Sequence, residues 1–191
     1  MKILTIPHLT LRQKSQEVTH LDRHLKRLLT DLQITLLHSE IGVGLAAPQI
    51  GSNYRVFAVN LPDSKHPETH HYHYFINPTI TACSSETSQL NAQGKSELEG
   101  CLSVPRLYAP VKRPIWIDVT YQTLQDGQLQ THQAHFDQAD ARVFQHEYDH
   151  LDGILFLDHA FAQNQPIYQE QPNGELERVD PDALRRRLGN F

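Results

Sequence analysis

With 191 residues, of which 39% are hydrophobic and 20% charged, the chain has apolar material for one domain with its own core and too little length for two. A formal net charge of −5 leaves no excess of Lys and Arg to meet a nucleic-acid backbone, which argues against DNA as a partner. The opening Met1 to His8 lacks the apolar run of a secretory signal and no stretch approaches a membrane span, so a cytoplasmic protein without membrane attachment is expected.

Cys83 and Cys101 are too few for a disulfide framework and suit a reducing compartment, although one bridge between them stays open. In chain order, Thr19 is the expected cap of a helix in which Leu21, Leu25, Leu28, Leu29, Leu32 and Leu36 recur at intervals of three and four, ended by Gly42. Its role is packing. The next stretch, Gly42-Val43-Gly44-Leu45-Ala46-Ala47-Pro48-Gln49-Ile50-Gly51, surrounds one amide side chain with small and apolar residues. It has no Lys-Ser/Thr ending and no strand-turn-helix context, so it is no phosphate loop; the Gln49 amide needs a polar partner, which points to a site.

Residues 54–60 and 72–80 read as strands, the second up to a break at Asn77-Pro78. Between them His66, His70, His71 and His73 lack a thiol or carboxylate at helical spacing, and they read as solvated or strand-alternating side chains. Residues 83–95, rich in Ser, Gln and Asn, read as a surface loop. Glu99-Gly100-Cys101-Leu102-Ser103-Val104-Pro105 is an extended run whose cysteine, taken alone, is a buried structural residue. Ile115, Ile117, Val119 and Tyr121 alternate with polar neighbours and turn at Asp126-Gly127 into a partner strand from Gln128 to Phe136, a β-hairpin. The chain turns polar after Asp158, and residues 161–191 are expected to form a mobile or loosely packed tail, with Arg185, Arg186 and Arg187 on a solvated helical turn.

Directly after the hairpin stands Gln145-His146-Glu147-Tyr148-Asp149-His150-Leu151-Asp152-Gly153. On a helix of ~3.6 residues per turn, His146 and His150 share one face and can bind one cation, with Glu147 alongside. A catalytic metal keeps an open position and needs a third protein ligand from elsewhere. Three candidates compete. A His in the metzincin position is excluded, because Phe156 stands there. Glu170, the zincin-type choice, sits among Gln and Pro without helical periodicity. Cys101, a strong soft thiolate ligand, is the preferred option.

The three segments Gly42 to Gln49, Glu99 to Ser103 and His146 to His150 resemble, in the same order, the three motifs of the peptide deformylase family. The resemblance covers residues 1 to about 160 and implies an α+β fold. That fold is a single domain of mostly antiparallel β-sheets packed around a central helix that carries the His-Glu-x-x-His motif, with an N-terminal amphipathic helix. It makes residues 1–160 the catalytic domain, and it implies removal of the formyl group from N-terminal formylmethionine of nascent polypeptides. Cys101, His146 and His150 become ligands of one divalent ion, commonly Fe(II) with Zn, Ni or Co as substitutes, and water or hydroxide completes the tetrahedron.

The family's chemistry implies that Glu147 acts as general base and then general acid, with the Gln49 amide and the Leu102 N–H as an oxyanion hole. Val43, Gly44, Gly100 and Val143 are the implied substrate-binding residues, the glycines beside an extended peptide and the valines as walls of the methionine pocket. Arg113 resembles an arginine that braces the site by an ion pair. The chain departs from the family pattern at Gln138-Ala139-Asp140, which puts the shape of the pocket in question. Expected partners are formylmethionyl nascent chains and the ribosome. Two rival functions remain: a zincin-type metallopeptidase with Glu170 as ligand, and an inactive deformylase-like binder of nascent chains.

Overall fold

The structure, a computed structural model, describes residues 1–39, 42–62, 70–88, 90, 94 and 96–188. After an N-terminal segment with a short 3₁₀ turn, helix α1 runs over Arg23–Leu37. Its cap is Asp22, whose carboxylate accepts from the Leu25 N–H at 2.7 Å, and not Thr19, whose hydroxyl turns to the His20 ring at 3.0 Å. A carboxylate three residues before its donor meets a free N–H of the first turn, a position Thr19 is too far upstream to reach. The helix also stops before Gly42, at His38, whose ring bonds the Ile34 carbonyl at 2.6 Å. Leu21 therefore lies outside the helix but still packs against the same core as Leu25, Leu28, Leu29, Leu32 and Leu36.

Strands β1 (Gly44–Ala46), β2 (Val56–Pro62), β3 (His70–Cys83), β8 (Trp116–Gln125) and β9 (Gln128–Asp137) form one antiparallel sheet in the order β1-β2-β3-β8-β9. The predicted hairpin is β8 and β9, paired from Trp116↔Asp137 to Gln125↔Gln128. The expected break at Asn77-Pro78 is instead a bulge within one long strand. Asn77 takes φ 48°, the register shifts between Ile76 and Thr79, and the Asn77 amide bonds both the N–H and the carbonyl of Val18 at 2.8 Å. Proline offers no ladder N–H, and asparagine tolerates the left-handed backbone, so the pair bends the strand without ending it. His73 is an exposed strand residue, His70 and His71 lie in β3, and His66 lies outside the described residues.

A second sheet holds β5 (Leu98–Cys101), β6 (Val104–Pro110), β10 (Ile167–Glu170) and β11 (Leu176–Val179), in the order β11-β10-β6-β5. Strands β4 (Thr87–Ser88) and β7 (Arg113–Pro114) pair separately, so the predicted surface loop carries a short strand. Helix α2 (Gln138–Leu151) packs Phe144 and Leu151 into the aromatic core of the first sheet, with Phe57 and Phe75. Its other face looks towards the second sheet. Helix α3 (Phe156–Ala162) seals the second core with Leu155, Phe156, Leu157 and Ala160.

The segment expected to be a loose tail is structured over its described residues. β10 pairs with β6 at Tyr168↔Tyr108, and helix α4 (Pro181–Leu188) follows β11. Ile167 and Leu184 are fully or nearly fully buried in the second core, with Val179 and Leu188 packed against it. These four apolar residues, spaced through polar sequence, carry no periodicity, yet all of them meet the second core. No helix among the described residues is long and apolar enough to cross a membrane.

Candidate metal centre

Helix periodicity puts His146 and His150 on one face of α2, and the second sheet brings Cys101 to them from the end of β5. Their ligand atoms lie within 4.8 Å of one another, the one group of this kind among the described residues. Cys101 Sγ is 3.2 Å from His150 Nε2. Burial opposes ionisation of the Cys101 thiol, but the His150 and His146 rings outweigh it and bring its pKa down to about 5. Two imidazoles and a thiolate form a soft donor set of the size and chemistry a first-row divalent ion takes, so the residues fit a metal. Glu170 takes no part in it: its carboxylate accepts from the Tyr108 hydroxyl at 3.2 Å. Both cysteines are free, Cys83 on the surface.

The orientation of His146 is set from behind. Its Nδ1 lies 3.1 Å from Glu99 Oε2, which leaves Nε2 turned to the donor set. Glu99 in turn receives both Nε and Nη2 of Arg113, at 2.7 and 2.9 Å, and Arg142 Nη1 at 2.7 Å. Arg113 reaches on to Asp149 at 2.8 Å, which His159 also contacts at 2.9 Å. Arg113 thus has two ion-pair partners, Glu99 and Asp149. Burial alone would raise the pKa of both carboxyls, but the Arg113 guanidinium holds them below the usual carboxylate range. Glu99, Asp149, Arg142 and His159 were not singled out from sequence. Glu99 stood in a quoted motif, and a buried glutamate two residues before a metal-ligating cysteine was the available signal.

Glu147 is buried beside the donor set, and one oxygen, Oε2, has no hydrogen-bond partner. Burial pushes its pKa up to about 7, against the pull of His146 and His150. The Gln49 amide is held at both ends: its oxygen accepts from the Ala46 N–H at 2.7 Å, and its nitrogen donates to Ser103 Oγ at 3.2 Å and Cys101 Sγ at 3.6 Å. That aims an N–H into the site.

An open pocket of about 570 Å³ leads to the donor set, lined by Val43, Gly44, Gln49, Gly100, Cys101, Leu102, Val143, His146 and Glu147 among others. Nine of the ten predicted site residues line it, and the tenth, His150, sits behind as the third member of the donor set. β1 and β5 are both edge strands, so Gly44 and Gly100 lie on unpaired backbone edges. The departing segment Gln138-Ala139-Asp140 is exposed at the start of α2 and is not among the residues lining the pocket.

The sequence profile of the family described as polypeptide deformylase matches residues 1–165. The chain belongs to the polypeptide deformylase family. Peptide deformylase of Treponema pallidum is 42% identical over 158 residues, covering 83% of this chain and 85% of that protein. A probable peptide deformylase from a Synechococcus phage is 40% identical, with a TM-score of 0.72 and coverage of 83% of this chain and 99% of the phage chain. The plant deformylase of type 1B is 28% identical at a TM-score of 0.73, and its likeness extends over 98% of this chain and 86% of its own. The family is metal-dependent and removes the N-formyl group from nascent polypeptides, and the chain is an enzyme of that class.

Proposed function

We propose that this enzyme deformylates N-terminal formylmethionine with Cys101, His146 and His150 as ligands of one divalent ion, Fe(II) in the native state and Zn, Ni or Co as substitutes. Such an ion, when bound, supplies a Lewis acid that polarises the formyl carbonyl and lowers the pKa of a nearby water. Glu147 accepts the proton of the attacking water at Oε2, and the water oxygen bonds to the formyl carbon. As the C–N bond breaks, Glu147 returns that proton to the amine nitrogen, and formate and a free N-terminus leave. Its buried place beside the donor set puts the Glu147 carboxylate within reach of both proton transfers.

The Gln49 N–H, fixed by Ala46 and Ser103, and the Leu102 backbone N–H receive the negative charge that grows on the formyl oxygen. Gly44 and Gly100 pair with the extended nascent chain, while Val43 and Val143 wall the methionine side chain. The catalytic unit is residues 1–160, and residues 161–188 add to its second sheet and pocket rim. The enzyme works in the cytoplasm at the ribosome, where formylated chains emerge. One observation carries this reading: a buried glutamate with an unsatisfied oxygen stands beside a Cys-His-His donor set in an open pocket.

Formate release from formyl-Met-Ala-Ser by the Fe(II)- or Ni(II)-loaded protein tests it; full metal loading without formate would sink it. Glu147→Ala keeps its metal and loses about 10²- to 10⁴-fold in kcat. Cys101→Ala abolishes metal binding, whereas a zincin-type site built on Glu170 would retain it.

A further inference from the structure

The carboxylates that line the pocket are not equivalent. Glu97 pairs with Arg142 Nε at 3.3 Å, Glu99 is gripped by Arg113 and Arg142, and Glu147 lies against the donor set. Glu170 differs from all three. It stands at the rim on β10, half-buried, with one hydrogen bond from the Tyr108 hydroxyl at 3.2 Å and no ion pair among the described residues. The neighbouring cation, Arg106, spends Nε and Nη2 on the main-chain carbonyl of Glu170, at 3.0 and 2.6 Å. Arg106 therefore clamps strand β10 in place and leaves the carboxylate open to a partner from solvent.

Its position relative to the chemistry follows from the sheet. Gly100 pairs with Tyr108 and Tyr108 with Tyr168, two residues before Glu170, so the side chains of Tyr108 and Glu170 share a face. The Tyr108 ring fills the space a side chain at Gly100 would take, within 2.7 Å of an added Cβ. Glu170 thus lies one tyrosine length from the residue preceding Cys101. An extended peptide advances about 3.4 Å per residue, which brings the first residues after formylmethionine to this range.

We infer that Glu170 is a specificity-determining residue that selects nascent chains with a lysine or arginine at one of the two positions after formylmethionine. The inference rests on the deformylase reading and adds a substrate preference to it. The preference belongs to the C-terminal segment, since Glu170 lies beyond the residues the family profile matches. A carboxylate with open lone pairs beside low-dielectric walls attracts an ammonium or guanidinium more strongly than one already paired, and salt screens the effect.

The test uses the metal-loaded full chain on formyl-Met-Lys-Ser and formyl-Met-Ala-Lys, each against its Glu counterpart. At low salt, kcat/KM for the Lys peptide exceeds that for the Glu peptide by about three- to fivefold at one position, as expected for a partly exposed ion pair. Glu170→Gln brings that ratio towards one, and Glu170→Lys inverts it. A general loss of folding or metal would lower both rates together and leave the ratio unmoved. Turnover of formyl-Met-Ala-Ser with equal Lys and Glu rates, or the same ratio in Glu170→Gln as in wild type, overturns this inference alone. No turnover of formyl-Met-Ala-Ser overturns the deformylase reading and this inference with it.

Discussion

Gly44 faces Glu147 so closely that an added Cβ would overlap the carboxylate. The absence of a side chain there is therefore part of how the base is placed, independent of any contact with substrate. Gly44→Ala should keep its metal and lose about 10²-fold in kcat, since displacing a catalytic group by about 1 Å costs that much; metal analysis alongside formate kinetics checks it. Glu99 acts through His146. Glu99→Ala should weaken metal affinity about 10- to 100-fold by releasing the imidazole, measured by competition with a chelator. It should also lower stability by about 3–5 kcal/mol, because Arg113, 4% exposed, is left facing a buried gap.

At the scale of elements, the outcome turns on how far apart in sequence the cooperating pieces lie. The α2 motif and the β8–β9 hairpin were readable because periodicity and turn chemistry are local signals. The fold class was likewise recoverable, through three ordered motifs that resemble one family. The cap at Asp22 and the continuation of β3 through Asn77-Pro78 were not, because each depends on a partner: the Leu25 N–H in one case, Val18 in the other. The last segment shows the same limit. Ile167 is completely buried between β6 and α3, although its neighbours Gln165, Pro166 and Gln169 look like loop. Ile167→Ala should cost about 2–5 kcal/mol, seen as a lower urea midpoint with an unchanged slope.

For the whole molecule, metal and pH act on one connected set of charges. Removing the metal should lower the midpoint of thermal unfolding, since an ion held at about 1,000 times its Kd adds about 4 kcal/mol to the folded state. In the metal-free protein the carboxyls pull in opposite directions. Glu99 and Asp149 titrate below the usual range, so their contribution is complete above about pH 4 and disappears as pH falls through the lowered values. Glu147 is the reverse: its pKa rises from 4.5 to about 7, so the protonated form favours folding and stability is lost as pH rises across that window. Glu147→Gln should remove that loss, so the variant gains on wild type between pH 4.5 and 7 in denaturant titrations. Equal slopes for the two proteins would show that burial of Glu147 has no such effect.

By itself, the sequence determined the donor types and their local spacing: two imidazoles and a carboxylate on one helix face, a thiol after a glycine, an amide in a small-residue stretch. Those are properties of residues a few positions apart, where backbone geometry leaves little choice. Only the tertiary structure decided how Glu99, Arg113, Arg142, Asp149 and His159 join into one ion network behind His146, and that a polar C-terminal segment brings Glu170 to the pocket rim. Such contacts join residues tens of positions apart, and they form only when sheet pairing and core burial bring distant strands to the same helix.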